Sequence, residues 1–208
     1  MDSPSRPISS HQEPVKESQI YWRNLFHIVI GSGIPIIGML SNSKTMVVFL
    51  SISSVLIITL ECLRFRYDTL NVSFVCVLAP ILKRKEIKTV TGATYMLISS
   101  LVCFLLFDKE IAIAALLFLS VGDPLAAWFG RKTEILRLGD KSLLGTVAMF
   151  LAGVSISAIL WIAPINTSLG LLVLGSATAA ITEVLPLGLD DNLTIPLVSG
   201  SVMTLLIL

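Results

Sequence analysis

Long runs of apolar residues, separated by short charged or turn-forming segments, occupy nearly the whole chain after residue 20. Several of these runs approach the length of about 20 residues that a helix needs to span a bilayer. Of the 208 residues, 54% are hydrophobic and 14% are charged, and the mean hydropathy is +0.87. This composition leaves too little polar surface for a soluble domain of the same size, so the sequence predicts an all-α integral membrane protein.

We predict a polytopic bundle of six to seven transmembrane helices, one of which is short or re-entrant. The short segment is the apolar run at residues 72–82, which has basic residues on both sides and too few residues to cross the bilayer. Residues 1–19, which are polar and rich in Ser and Pro, are predicted to form a disordered cytoplasmic tail. Residues 20–208 are predicted to form a single transmembrane catalytic domain.

The positions of the cations predict how the chain is oriented, because cytoplasmic loops carry an excess of Lys and Arg. Of the 15 Lys and Arg residues, only Lys44 and Lys109 fall in predicted outer turns. The other charged clusters would all face the cytoplasm. The net charge of +1 says nothing about nucleic acid, but the lack of a basic helix or an aromatic-interleaved basic patch argues against it as a partner.

The longest polar interruption is at residues 119–146. Gly122, Asp123 and Pro124 are predicted to break a helix there, with Asp123 as the N-cap and Pro124 at the first helical position. Gly122, Ala126 and Gly130 recur every four residues on one helix face, which predicts close approach of another backbone.

The loop after Gly130 and the start of the next helix favour anions, because cations there are followed by exposed backbone N–H groups. The residues predicted to contribute are Arg131, Lys132, Arg137, Lys141, Ser142, Gly145 and Thr146. The alternative is a basic loop that only anchors the topology.

Carboxylates near the same end of the bundle predict a magnesium site. Asp123, Asp190 and Asp191 offer the oxygen ligands that Mg²⁺ prefers, although Asp123 alone is also explained as a helix cap. Glu183 lies in an apolar run, where an unpaired charge costs at least ~2.5 kcal/mol. It therefore needs a partner, and Arg64, Lys141 or a metal ion would serve, in a catalytic site or in a structural ion pair.

Two further pairs of polar residues lie at helix ends. Glu61 and Arg64 share a helix face because they are three residues apart. Arg23 precedes His27, which is interpreted either as a catalytic base or as a hydrogen-bonded histidine within the bundle. The three cysteines are widely spaced in apolar surroundings and are predicted to be buried thiols, forming neither disulfides nor a metal site.

The order of these motifs resembles that of the CTP-dependent lipid kinase family, which includes dolichol kinase, phytol kinase and fungal CTP-dependent diacylglycerol kinase and is distantly related to phosphatidate cytidylyltransferases. The matching residues are Arg23 and His27; Glu61 and Arg64; residues 91–95 (T-G-A-T-Y); Gly122, Asp123, Ala126 and Gly130 (G-D-x-x-A-x-x-x-G); Lys141, Ser142, Gly145 and Thr146 (family K-S-x-E-G-[ST]); and Glu183, Asp191, Asn192 and Pro196 (E…D-N-x-x-x-P). Two positions depart from the family, with Asn24 where Lys is common and Leu144 where Glu is common.

The resemblance implies that the terminal phosphate of CTP is transferred to the hydroxyl of a polyprenol-type lipid, with Mg²⁺ as cofactor. It implies that Asp123 and Asp191, with Asp190 nearby, hold the metal, and that the catalytic residues are Asp123, Lys141, Glu183 and His27. Three of these, Asp123, Glu183 and His27, remain candidates for the general base. The implied nucleotide and phosphate contacts are Arg64, Gly122, Gly130, Arg131, Lys141, Ser142, Gly145, Thr146 and Asn192. The implied supporting residues are Arg23, Glu61, Ala126 and Pro196.

The resemblance leaves several functions open. The acceptor is dolichol, phytol or a similar alcohol, or else diacylglycerol. A phosphatidate cytidylyltransferase would use the same metal and cations. A small transporter or a non-catalytic scaffold would catalyse no reaction. The expected partners are CTP, a lipid alcohol and the bilayer, in a prokaryotic cell membrane or an endoplasmic-reticulum-type membrane, and formation of a homo-oligomer stays open.

Overall fold

Helices make up nearly all of the protein that the computed structural model describes, which is residues 17–131, 137–139, 141–163 and 166–207. In chain order the elements are α1 (Glu17–Leu40), α2 (Ser43–Arg66), α3 (Asp68–Leu78), a 3₁₀ turn (Arg84–Ile87), α4 (Gly92–Leu106), α5 (Lys109–Leu117), a π turn (Phe118–Gly122), α6 (Asp123–Gly130), β1 (Arg137–Leu138), β2 (Lys141–Ser142), α7 (Leu143–Ile162), α8 (Leu169–Val184) and α9 (Asp191–Leu205). Strands β1 and β2 form a short antiparallel hairpin. Most of the predicted tail, residues 1–16, lies outside the described residues, and α1 begins within its last part, at Glu17.

The all-α membrane fold agrees with the prediction, but the predicted number of six to seven spans is not confirmed. Within the described residues, four helical segments are long and apolar enough to cross a membrane: Ser18–Leu40, Ser43–Arg66, Lys109–Gly130 and Leu143–Ile162. The apolar helices α3, α4 and α8 are shorter. At 11 to 16 residues, they fall below the length of about 20 that spans the hydrocarbon core.

The continuous helix Lys109–Gly130 lies at the centre of the bundle. It packs against α1, α7 and α9, and every residue of α5 from Ile111 to Leu116 is buried. Three of these residues are alanines, whose small side chains let neighbouring helices approach closely. Asp123 therefore lies on the most enclosed helix of the molecule.

The predicted helix break at residues 122–124 is wrong. Asp123 has helical dihedral angles, with φ −60° and ψ −47°, and therefore does not act as an N-cap. A proline lacks the N–H that would bond four residues back, and its ring crowds that carbonyl, which here belongs to Ser120. Ser120 lies in the π turn, where the hydrogen bonds span five residues, so the helix accommodates Pro124 and continues.

The predicted close-packing face of Gly122, Ala126 and Gly130 is confirmed. A Cβ atom on Gly145 of α7 would lie 2.7 Å from the Ala126 carbonyl oxygen. One on Gly130 would lie 2.9 Å from the hydroxyl of Ser142. Because α6 and α7 pack at this distance, the loop between them is held next to Asp123.

Helix α3 behaves as the short segment that the sequence predicts. Asn71 near its start and Ile87 beyond its end both contact Arg64 at the end of α2. The chain therefore returns to the end of the bundle from which it departed. Eleven residues of helix extend only about 16 Å, so α3 does not cross.

The turns at residues 41–42 and 107–108 lie together at the opposite end. The ammonium of Lys109 donates to the carbonyl oxygens of Met39 and Ser41, at 3.3 and 2.6 Å. This contact places both turns that were predicted to be outer at the same end of the bundle, away from the charged clusters.

We expect Gly153→Ala to lower the melting temperature of the detergent-solubilised protein. A Cβ atom at residue 153 in α7 would lie 2.5 Å from Cβ of Ser176 in α8 and 3.4 Å from its backbone, so the two helices would have to separate. The matched control is Gly33→Ala in α1, where a Cβ atom meets nothing within 4 Å and the substitution favours the helix. Equal melting temperatures for the two variants would contradict this packing.

Candidate active site

Lys141 is the centre of a cluster of carboxylates contributed by three separate helices. Its ammonium lies 2.7 Å from Oδ2 of Asp191 and 3.0 Å from Oε1 of Glu183. The hydroxyl of Thr146 donates to the other oxygen of Glu183 at 3.4 Å. Lys141 is thus the partner that Glu183 requires within its apolar helix.

Lys141 stays protonated in this cluster. Burial alone would lower the pKa of Lys141, but the hydrogen bond and charge of Asp191, with the charges of Glu183 and Asp123, outweigh burial and raise it. The ammonium is therefore a permanent positive charge at the ends of α6, α8 and α9.

The cluster contains more negative than positive charge. The charges of Asp123 and Asp191 interact, and both also interact with the charge of Glu183. Three carboxyl groups therefore surround the single ammonium of Lys141. Within the described part of the chain, no group of three or more His, Cys, Asp or Glu residues is arranged to hold a metal ion unaided. Mg²⁺ is usually held by one or two carboxylates together with substrate phosphates, and the donor set of Asp123 and Asp191 fits that mode.

Asp190 has structural partners that account for it without a metal. Its Oδ1 caps α9 by accepting from the backbone N–H of Asn192, at 3.2 Å, and from the Asn192 side-chain amide, at 2.7 Å. Its Oδ2 lies 3.7 Å from Lys85. Asp190 therefore orients Asn192, and the pair left to serve as metal ligands is Asp123 and Asp191. Pro196 lies further along α9, where it is buried and provides no donor to the Asn192 carbonyl.

Ser142 and Gly145 serve the local structure at the start of α7. The hydroxyl of Ser142 accepts from the backbone N–H of Gly145 at 3.1 Å and caps the helix. The hairpin before it turns at Gly139, whose φ of +63° favours glycine. These features hold Lys141 at the edge of the cluster.

Arg64 and Glu61 form a buried clamp. The side chain of Arg64 is fully buried, and its Nε donates to Glu61 at 2.6 Å. Its remaining N–H groups donate to the side chain of Asn71 and to the carbonyl oxygens of residues 86, 87 and 89. Glu61 accepts in turn from Thr91 and Thr94. Arg64 therefore binds the segment that connects α3 to α4. All of its N–H groups have partners within the protein, so none is free for the phosphate contact that was expected of Arg64.

Glu86 is a site residue that the sequence analysis missed. It is buried, and its two oxygens accept from the backbone N–H groups of Lys83 and Gly92, at 2.8 and 2.9 Å. It lies among the basic residues Lys83, Arg84, Lys85 and Lys88, and no role was predicted for it. A signal was present, because an acidic residue at the third position of a turn is a common capping pattern.

A cavity of about 270 Å³ opens beside Asp123. The polar part of its lining is Arg23, Asn24, His27, Lys83, Glu86, Thr91, Gly92, Asp123 and Asn192. The apolar part is Phe26, Ile57, Leu60, Phe74, Leu78, Ile81, Leu82, Ala93, Met96, Pro124 and Ala127. A mixed lining of this kind suits a molecule that has both a polar group and an aliphatic body.

Two buried polar atoms in this cavity wall have no hydrogen-bond partner among the described residues: Nε2 of His27 and Oδ1 of Asn192. The His27 ring bonds to the backbone of Leu119 and interacts with the charge of Asp123. The amide of Asn192 is fixed by its bond to Asp190. Because an unpaired buried polar atom costs about 1–3 kcal/mol, both atoms indicate a polar ligand.

Arg23 and Arg131 lie close enough for their charges to interact. Burial, followed by the charge of Arg23, lowers the pKa of Arg131. In the described ranges neither guanidinium has an ion pair with a carboxylate. Arg23 lines the cavity, and two always charged cations close to each other favour an anion such as phosphate.

The prediction of buried cysteines is correct only in part. Cys103 is buried, whereas Cys62 and Cys76 are exposed on the surface of the bundle. Helix periodicity decides this, because Cys62 follows the buried Glu61 and faces away from the clamp.

Comparison with known proteins finds lipid kinases. The chain is 35% identical over 140 residues to "Probable phytol kinase, chloroplastic" of Triticum aestivum, covering 60% of this chain and 46% of that protein. It is 27% identical over 191 residues to CTP-dependent diacylglycerol kinase 1 of Saccharomyces cerevisiae, covering 80% and 66%. It is 26% identical over 163 residues to the protein of the same name from Schizosaccharomyces pombe, covering 70% and 74%.

These similarities confirm the resemblance to the CTP-dependent lipid kinase family. The chain spans about half to three quarters of the length of these relatives. No family model and no solved structure matches it.

We expect Arg64→Leu to destabilise the protein by about 3–5 kcal/mol, because it leaves Glu61 buried without its cation. Thermal unfolding in detergent measures the change. The matched control is Arg66→Leu, two residues further along α2, where the arginine is exposed and the loss should be small. A melting temperature equal to that of the control would show that the clamp is not structural.

Proposed function

We propose that this protein is a membrane lipid-alcohol kinase, which transfers the terminal phosphate of CTP to the hydroxyl of a polyprenol-type lipid such as dolichol or phytol, with Mg²⁺ as cofactor. The observation that carries the proposal is the position of Asp123. It lines the cavity, whose lining contains both polar and apolar residues, and it also interacts with the charged cluster around Lys141. One carboxylate thus adjoins both an acceptor site and an anion site.

The acceptor hydroxyl is proposed to bind beside the polar residues of the cavity lining. There it can donate to Oδ1 of Asn192 or to Nε2 of His27, the two atoms of lining residues that are buried without a partner. The apolar residues of the lining then surround the first carbons of the lipid. Phytol kinase and diacylglycerol kinase, the names of the relatives, both denote enzymes that act on a hydroxyl attached to an aliphatic body.

His27 is the general base that the geometry favours. Nε2 of His27 has no hydrogen-bond partner among the described residues, so in the neutral ring this nitrogen is able to accept a proton from a bound hydroxyl. Glu183 is a weaker candidate, since Lys141 and Thr146 occupy its oxygens. Asp123 is better explained as a metal ligand.

The donor site is proposed to lie between the carboxylates and the arginines. Asp123 and Asp191 would hold Mg²⁺, which when bound neutralises phosphate charge. Lys141 supplies a fixed positive charge beside them, and Arg23 and Arg131 bind phosphate oxygens. Preorganised charge of this kind is usually the largest contribution to phosphoryl transfer.

In the proposed reaction the lipid hydroxyl oxygen forms a bond to the terminal phosphorus of CTP. The bond from that phosphorus to the bridging oxygen breaks, and CDP leaves with the electron pair. The hydroxyl proton passes to Nε2 of His27. The products are the lipid monophosphate and CDP.

Diacylglycerol is the second candidate acceptor, because three of the similar proteins are named CTP-dependent diacylglycerol kinase 1. We further propose that the site faces the cytoplasm, since the clustered cations lie at the end opposite Lys109 and Lys44. The membrane would be a prokaryotic cell membrane or one of the endoplasmic-reticulum type.

The direct test gives the purified protein Mg²⁺ and [γ-³²P]CTP or [γ-³²P]ATP, with a mixture of polyprenol, phytol, farnesol and diacylglycerol. Label in one lipid identifies both donor and acceptor. Release of pyrophosphate from CTP in the presence of phosphatidate would instead identify a cytidylyltransferase.

We expect Asp123→Asn, Lys141→Ala and Asp191→Asn each to lower turnover at least ~100-fold, because each removes charge directed at the transferred phosphate. The assay is steady-state lipid phosphorylation by folded protein. The control is Asp108→Asn, an exposed aspartate at the start of α5 and the other end of the bundle. If Asp123→Asn kept the turnover of the wild type, Asp123 would not be part of the site of phosphate transfer.

We expect His27→Gln to lower kcat by about 10²- to 10⁴-fold, the usual contribution of a general base. In the wild type kcat should fall at acidic pH as Nε2 becomes protonated, and the variant should lose that dependence. Measurement of kcat across pH for both proteins separates this role from a structural one. If kcat of His27→Gln still decreased at acidic pH, the general base would be a residue other than His27.

A further inference from the structure

We propose that the aliphatic chain of the acceptor lipid enters the cavity sideways from the bilayer, between α1 and residues 78–82, and lies in an apolar groove along α1. This inference rests on the proposed function and identifies where the chain of that substrate binds. The groove is defined by Trp22, Leu25, Phe26, Val29, Ile30 and Ile81.

The size of the cavity requires such an exit. A cavity of about 270 Å³ is smaller than the pockets of roughly 300–1,000 Å³ that bury drug-sized ligands. It can therefore hold the hydroxyl and the first carbons of a long lipid alcohol but not the remaining chain. The rest of the chain has to lie outside the cavity.

The groove adjoins the cavity at two apolar residues of the cavity lining. Phe26 and Ile81 line both spaces, so a chain that passes between them remains in apolar surroundings. All six groove residues are apolar. From Trp22 to Ile30 the groove follows eight residues of helix, or about 12 Å, from the charged end of the bundle toward its middle.

The packing of α3 leaves this side of the cavity open. Helix α3 packs against α2 and contains no buried residue. Helix α1 packs against α5, the π turn and α6 instead. The wall between α1 and α3 is therefore formed mainly by side chains, which can separate more easily than packed backbones.

Gln19 restricts the opening at its charged end. Its amide donates to the carbonyl oxygens of Ala79 and Leu82, at 2.7 and 3.5 Å, and so ties the start of α1 to the chain after α3. This contact closes the opening at the start of α1, so the lipid chain is proposed to leave further along α1, through the groove. Trp22, Val29 and Ile30 are 54%, 58% and 46% exposed, as expected for a surface in contact with lipid.

The first experiment maps the chain directly. The full-length protein in nanodiscs is illuminated with a phytol analogue that carries a diazirine near the end of its chain, and the labelled peptides are identified by mass spectrometry. We expect label on residues 22–30 and around Ile81, and excess unlabelled phytol should remove it.

The second experiment narrows the groove by Val29→Trp and, separately, Ile30→Trp. If the larger side chain displaces about two methylene groups of the lipid from the groove, the KM for a long-chain alcohol should rise about tenfold. Either substitution should leave kcat/KM for a short prenol, which fits within the cavity, unchanged. The matched control is Ile37→Trp, an exposed position two turns further along α1 and outside the groove.

The outcomes separate the groove from the proposed function. Labelling of the groove without phosphorylation of any alcohol would reject the kinase and keep a lipid-binding groove. Phosphorylation with label confined to other helices, and with Val29→Trp and Ile30→Trp equal to Ile37→Trp, would reject the groove and keep the kinase.

Discussion

Inside a membrane every buried polar group needs a partner within the protein, and this requirement organises the charged end of the bundle. Arg64 is buried because a carboxylate, an amide and three carbonyl oxygens surround it. Glu183 is buried because Lys141 and Thr146 reach it. Three buried side-chain atoms of the described residues have no partner: Oγ of Ser54, Nε2 of His27 and Oδ1 of Asn192. His27 and Asn192 line the same cavity, and their two unpaired atoms are the reason for proposing that cavity as a ligand site.

The sequence predicted the features that depend on spacing and composition. Gly122, Ala126 and Gly130 pack closely against α7 because residues four apart share a helix face, and Glu183 finds one of its three predicted partners in Lys141. The π turn at residues 118–122 was not predictable from the same rules, because Gly, Asp and Pro together are typical of a helix break. The helix continues through these residues because α5 is packed within the bundle, and the local sequence pattern contains no information about that packing.

Side-chain roles were harder to predict than side-chain locations. Arg64 belongs to the motif that resembles the lipid kinases, yet its donors are used by the chain between α3 and α4, which forms one wall of the cavity. No role was predicted for Glu86, which lies among basic residues, yet it accepts from the backbone N–H of Gly92 in the same wall. The carbonyl partners of Arg64 are 22 to 25 residues away in sequence, and no pattern of residue types identifies such a contact. The clamp and the Glu86 contact together determine the shape of the acceptor cavity.

In the proposed reaction, the apolar lining of the cavity also affects selectivity between nucleophiles. A phosphoryl donor held beside Asp123 would be open to attack by water as well as by an alcohol. Water beside the apolar residues would find few polar partners to hold it, and a lipid chain that fills this space would exclude water from the bond that breaks. The same surface that admits a lipid would thereby protect the nucleotide from hydrolysis.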